Sequence, residues 1–217
     1  MSGDELGRLL VSLAHRAGLA SGFAIGVRRI ADLDVPERVP ELERGFRVSE
    51  RRRREFTAGR AAAAEGLARL GGPRRTVARS ARGVPVWPSG SVGSISHTKA
   101  WAVALVADSA FARRCGVDIE EAAAADTSAQ RLCAREAAYK TLSPGTGLPF
   151  RPDDWPLLEA GPATDSWTVG VPGPFRTGDP ALDVVTGWVS GVHAALTVTL
   201  RPDPGPPLKH EDGLHKA

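Results

Sequence analysis

The chain has 217 residues, 42% of them hydrophobic and 24% charged, which suits one large domain or two of about 100 residues each, buried without disulfide or metal staples. No apolar run approaches the roughly 20 residues of a membrane span, no basic-then-apolar secretory signal opens the chain, and Cys115 and Cys133 lack the CxxC spacing of a zinc or redox site, so the expected compartment is the cytoplasm. The net charge of +3 hides an asymmetry, because residues 44–99 carry thirteen Lys/Arg against three Asp/Glu while residues 100–217 carry ten against fifteen. A phosphate-rich ligand held with a metal would need that pairing of a basic and a carboxylate-bearing half.

In chain order, Leu6, Leu9, Leu10 and Leu13 recur at helical spacing and predict an amphipathic helix over 5–17. A strand is expected at 22–27. Residues 49–70 read as a longer helix, with Ser49 as N-cap, an alanine run at 61–64, and Gly71-Gly72-Pro73 as the stop. Its four consecutive arginines, Arg51 to Arg54, cannot all face one way. Short extended pieces follow at 76–79 and 85–87 around a turn at Arg82-Gly83, and then 93–97 and 101–107 form a hairpin. Beyond a strand at 116–120 and a helix through 135–140, strands are expected near 167–171, 184–190 and 192–200. The segments at 101–107 and 193–200 are loosely alike and suggest a duplicated unit. From Arg201 onward the Pro-rich, mixed-charge sequence predicts a flexible tail.

The chemistry concentrates in two strings. In Gly116-Val117-Asp118-Ile119-Glu120, alternation puts Asp118 and Glu120 on one face of a strand while Val117 and Ile119 face a core. In Arg135-Glu136-Ala137-Ala138-Tyr139-Lys140, helical spacing puts Glu136 beside Lys140. Three carboxylates offer the oxygen ligands that Mg²⁺ prefers, and an ammonium suits the remaining charge of a bound polyphosphate. Taken singly, each residue has a plainer reading, as an edge-strand charge or an i,i+4 pair. The apolar neighbours of Asp118 weigh against that, since an unpaired carboxylate in a packed strand is costly.

With Glu55-Phe56-Thr57-Ala58-Gly59-Arg60, Gly83-Val84-Pro85-Val86-Trp87-Pro88 and Gly93-Ser94-Ile95-Ser96-His97 in the same order, the chain resembles the phosphopantetheinyl transferases. The similarity is to the monomeric, two-subdomain kind that modifies carrier proteins of siderophore, nonribosomal peptide and polyketide synthesis. The resemblance implies an α/β (α+β) fold of two similar subdomains related by a pseudo-two-fold, each a small mostly antiparallel sheet with a main helix. The division would be 1–108 (basic, coenzyme A phosphate binding), 109–200 (metal carboxylates) and the tail 201–217. It implies Mg²⁺-dependent transfer of 4'-phosphopantetheine from coenzyme A to a serine of an acyl or peptidyl carrier protein, releasing adenosine 3',5'-bisphosphate. Asp118, Glu120 and Glu136 would hold Mg²⁺, with Mn²⁺ as a second candidate; Glu136 would take the serine proton and Lys140 would neutralise the leaving oxygen. Coenzyme A would be bound by Arg52, Arg60, Arg82, Ser96, His97, Arg135 and Lys140. A monomer with no nucleic-acid or membrane partner is expected, since the arginines lack the interleaved aromatics of single-strand binders.

One departure from the family stands out. Only fifteen residues separate Glu120 from Glu136, where family members carry a longer segment near the carrier-protein surface. An extended chain of even ten residues reaches roughly 33–36 Å, so the helix can still return to the strand. The alternative reading is therefore a relative that binds coenzyme A without efficient transfer because segment 121–135 is shortened.

Overall fold

The computed structural model describes residues 1–36, 39, 42, 48–71, 76–144, 146–160, 165–175 and 181–200. The tail expected at 201–217 lies outside these residues. Among the described residues the architecture is mixed α+β, with three α-helices and antiparallel sheets.

Helix α1 (Gly3–Arg16) starts in a capping box, in which the Glu5 amide donates to Ser2 Oγ and the Ser2 amide donates to the Glu5 carboxylate, 3.2 and 2.6 Å. It buries Leu6, Leu10 and Leu13, as the leucine spacing predicts. Strand β1 (Phe23–Arg29) follows, then α2 (Glu50–Arg69), capped by Ser49 and closed by Gly71 in the left-handed region at φ +81°. The short β2 (Ala78–Arg79) and β3 (Pro85–Val86) pair around Gly83. Strands β4 (Ser91–His97) and β5 (Trp101–Asp108) form the expected hairpin, and β5 also pairs β1, which gives a three-stranded sheet of order β1-β5-β4.

The second sheet begins with β6 (Ala112–Glu121), crosses through α3 (Thr127–Leu142), and continues with β7 (Leu157–Ala160), β8 (Ser166–Gly170), β9 (Ala181–Val189) and β10 (Val192–Leu200). Its order, β6-β10-β9-β8-β7, repeats the first sheet's plan of strand, helix and closing hairpin, with two strands added beyond. The loosely similar segments at 101–107 and 193–200 are β5 and β10, the strands paired on both sides. The likeness extends to one packing device. A Cβ at Gly26 of β1 would fall on the Ala62 carbonyl of α2, and one at Gly116 of β6 would fall on the Ala137 carbonyl of α3. In each half a glycine lets an alanine-faced helix lie directly on the strand that precedes it.

Helix α1 spans the two sheets, touching β1 on one side and β9 and β10 on the other. Its leucines join Ile25, Val103 and Leu105 to Val117, Ile119 and Leu196 in one shared core. The sheets also meet directly. Ser94 and Ser96 on β4 use their hydroxyls to accept the Val117 and Ile119 amides of β6, 3.1 and 3.4 Å. Strand alternation puts both serines on one face, so two side chains stand in for a missing backbone partner along the β6 edge.

Candidate active site

Asp118 sits in the middle of β6, its side chain 2% exposed, where α3 crosses close over Gly116. Burial pushes its carboxyl up, against the pull of Lys140 and the Ser96 hydroxyl. Lys140 Nζ lies 2.6 Å from Asp118 Oδ1, 3.2 Å from Glu136 Oε1 and 3.0 Å from Ser96 Oγ. Burial works against this ammonium, yet the Asp118 and Glu136 charges outweigh it and hold its pKa above the usual lysine range. Glu120 follows two residues after Asp118 on the same face of the strand. Its carboxyl is pushed up to about 7 by burial, then by the charges of Asp118 and Glu136.

Asp118, Glu120 and Glu136 thus converge as the sequence predicts, each with one oxygen within 4.8 Å of the others. A single ammonium cannot balance three carboxylates. Moreover, Asp118 Oδ2 is buried and makes no hydrogen bond. An unpartnered buried oxygen, an excess of negative charge and an all-oxygen donor set fit a hard divalent cation such as Mg²⁺.

The structure places the basic residues in three ways. Arg52 of α2 and His97 at the end of β4 meet, with Arg52 Nη1 donating to His97 Nε2 at 3.1 Å, which leaves the imidazole proton on Nδ1. Burial holds His97 below the usual histidine range, with Glu55 pulling the other way. Arg60 stacks over the Phe56 ring at 4.7 Å and donates to the Ala78 carbonyl at 3.4 Å, so it lies between α2 and β2. Arg82, in the exposed turn after β2, runs alongside Gly147 in the loop beyond α3. Two further residues make hydrogen bonds within the protein. Ser96, 4% exposed, donates its hydroxyl proton to Asp118 at 2.7 Å and so touches the carboxylate cluster. Arg135 donates through Nε to the Trp155 carbonyl at 2.9 Å and ties α3 to the loop before β7.

Sequence reasoning missed Ser94 and Glu55. Glu55 is 6% exposed, although it follows four arginines. Its spacing, three and four residues from Arg52 and Arg51, was the available signal. Burial pushes the Cys115 thiol up to about 12, and burial followed by the neighbouring Asp118 charge pushes Cys133 well above the usual range, which keeps both protonated.

The short connection closes cleanly. The Ala122 amide donates to the Gly191 carbonyl at 3.0 Å, Trp188 Nε1 donates to the Ala122 carbonyl at 3.1 Å, and His193 Nε2 lies 2.8 Å from the Ala123 carbonyl. Asp126 then caps α3 by accepting the Ser128 and Ala129 amides.

Comparison with known proteins gives the family. Residues 43–107 match the model of the 4'-phosphopantetheinyl transferase N-terminal domain. Over 180 residues, 70% of this chain and 73% of the relative, the sequence is 30% identical to the 4'-phosphopantetheinyl transferase Svp of Streptomyces mobaraensis. The chain belongs to the 4'-phosphopantetheinyl transferase family. Shorter matches join Npt of Nocardia iowensis, 41% identical over 71 residues, and PptT of Mycobacterium tuberculosis, 34% over 86. These two cover 33% and 40% of this chain and span 32% and 37% of the relatives' lengths. In this transferase-family chain, the matched N-terminal domain ends at β5, one strand before the carboxylates begin.

Proposed function

We propose that the protein transfers 4'-phosphopantetheine from coenzyme A to a serine of an acyl or peptidyl carrier protein, with Mg²⁺ or Mn²⁺, releasing adenosine 3',5'-bisphosphate. The observation that carries this reading is the trio Asp118, Glu120 and Glu136 around Lys140, built where the basic half meets the second sheet. The named relatives support the reaction class. The chain would act in the cytoplasm as a monomer, on carrier proteins of secondary-metabolite assembly.

Asp118, Glu120 and Glu136 would hold the metal. When bound, the ion supplies positive charge to the pyrophosphate oxygens and lowers the cost of separating them. The chain's own residues do the rest. Arg52, Arg60, Arg82 and His97 bind and orient the nucleotide phosphates. Glu136, 29% exposed at its side chain, accepts the serine proton directly or through a water. The serine oxygen forms its bond to the phosphorus bearing pantetheine, and the bond from that phosphorus to the bridging oxygen breaks. Lys140, already within the cluster, neutralises the departing bisphosphate. Arg135 and Ser96 contribute by holding α3 and Asp118 in place.

Mass spectrometry of apo carrier proteins incubated with the protein, coenzyme A and Mg²⁺ tests the proposal. A serine-linked phosphopantetheine is the expected product. Asp118→Ala should lower the rate by at least the order of 10²-fold typical of losing an electrostatic stabiliser. Retained activity in that variant would overturn the site assignment. Binding of coenzyme A with no transfer to any carrier protein would favour the non-transferring alternative, whose motive is the fifteen-residue connection between Glu120 and Glu136.

A further inference from the structure

The first turns of α2 present Arg51, Arg52, Arg53 and Arg54, and the next residue is a carboxylate buried against them. Glu55 is 8% exposed at its side chain. Burying it costs free energy unless it is paired, and a negative charge beside a phosphate-binding surface opposes the ligand. Its contacts are divided between its two oxygens. Oε1 lies 2.9 Å from Arg51 Nε, while Oε2 lies 3.5 Å from Arg52 Nη1 and 3.9 Å from His97 Nε2. Arg52 and His97 in turn touch at 3.1 Å. These two belong to different elements, α2 and β4, and Glu55 reaches both. The other acidic residue at the start of α2, Glu50, pairs with Arg54 at 2.9 Å on the outer face, with 67% of its side chain exposed.

We propose that Glu55 is a positioning residue which fixes Arg52 and His97 as one unit aimed at the phosphates of the coenzyme A nucleotide. The inference rests on the transferase reading and adds a member to its binding site. Arg52 is 46% exposed, so without a partner its long side chain would spread over many rotamers, and ordering it on binding would weaken the complex. Glu55 orders it beforehand. The proposal makes a prediction opposite in sign to simple electrostatics. If Glu55 were only a neighbouring charge, neutralising it would strengthen anion binding; if it aims Arg52 and His97, neutralising it weakens binding.

The test is calorimetric titration of adenosine 3',5'-bisphosphate into the full chain, its Glu55→Gln and Arg52→Ala variants and the double variant. Glu55→Gln should bind on the order of tenfold more weakly, the scale of one charge-assisted contact. The double variant should lose less than the product of the two single losses, because both act through one guanidinium. Glu55→Asp, which keeps the charge on a shorter stem, should fall between wild type and Glu55→Gln. In the ligand-free protein, NMR relaxation of the Arg52 guanidinium should show lower order in Glu55→Gln. Equal or tighter binding by Glu55→Gln, multiplicative losses, or unchanged Arg52 order would each overturn the role of Glu55. Failure of the wild type itself to bind the nucleotide would overturn the transferase reading, and the aiming role would fall with it.

Discussion

Glu120 is the residue on which the charge imbalance of the site should be most visible. Its carboxyl stands at about 7 in the folded protein against an ordinary value of 4.5, because burial and two neighbouring carboxylates disfavour its charge. An acid whose folded-state pKa is raised holds its proton more tightly when folded. The metal-free protein is therefore destabilised by this group as pH rises from about 4.5 through about 7, and the loss is complete above that window. Glu120→Gln removes the group, so in chelator the variant should lose less thermal stability than wild type between pH 5 and pH 8. Mg²⁺ should reverse the wild-type loss, since binding requires the deprotonated carboxylate, and its affinity should climb over the same interval. Parallel melting curves for the two proteins across that range would show that Glu120 does not face Asp118 and Glu136. The pairs Asp118–Glu120 and Glu136–Lys140 were legible in the sequence, because two-residue alternation on β6 and four-residue spacing on α3 are local rules, whereas the meeting of the two pairs was an expectation carried by the family resemblance. The Ser96 hydroxyl on Asp118 was not. That contact joins residues 22 apart on strands of different sheets, and no periodicity within either strand reports it.

At the level of elements, Gly116 sets the distance between strand and helix on which the site depends. Its missing Cβ leaves room for the Ala137 carbonyl and the Thr141 hydroxyl, and Thr141 Oγ1 itself donates to Ala137 O at 2.9 Å. Asp118 lies two residues along the strand, and Glu136 and Lys140 flank Ala137 on the helix. A methyl group here must push α3 off β6 and so separate the carboxylates. Gly116→Ala should cost about 1–3 kcal/mol, the usual range for overpacking, and should also weaken Mg²⁺ binding. Gly26→Ala, at the matching position against Ala62 in the first half, should cost a similar amount while leaving Mg²⁺ affinity near wild type. Melting temperature and metal titration on both variants separate the two effects; equal losses of metal affinity would mean that Gly116 acts only through global stability. The elements themselves were largely readable: α1, α2 and the β4–β5 hairpin follow from leucine spacing, the Ser49 cap and the turn signals. β7 was not foreseen, since Leu157–Ala160 is a four-residue edge strand with Leu158 exposed and no alternation long enough to detect. The matched glycines were visible in Ile25-Gly26-Val27 and Cys115-Gly116-Val117, but their meaning depends on helix carbonyls, those of Ala62 and Ala137, that lie far along the chain.

For the molecule as a whole, the proposed function gives the two halves unlike tasks. In the proposed reaction the first supplies Arg52, Arg60, Arg82 and His97 and the second Asp118, Glu120, Glu136 and Lys140, and the seam between the halves is the shared α1 core together with Ser94 and Ser96 against the β6 edge. Nucleotide phosphates held by the first half and a cation held by the second would attract each other across that seam, so each ligand should improve the site for the other. Coenzyme A and Mg²⁺ together should then raise the melting temperature by more than the sum of their separate effects. Replacing Ser94 and Ser96 together by alanine leaves the Val117 and Ile119 amides without their acceptors and removes a hydroxyl from Asp118, at a cost of about 1–3 kcal/mol for each buried group left unsatisfied. In that variant each ligand alone should still bind, while the excess stabilisation from the pair shrinks, because the two halves no longer hold a fixed register. Differential scanning calorimetry with neither ligand, each alone and both, on wild type and the double variant, measures the excess directly. Strictly additive shifts in the wild type would mean that nucleotide and metal bind independently, and the seam would then be a packing feature with no part in assembling the site.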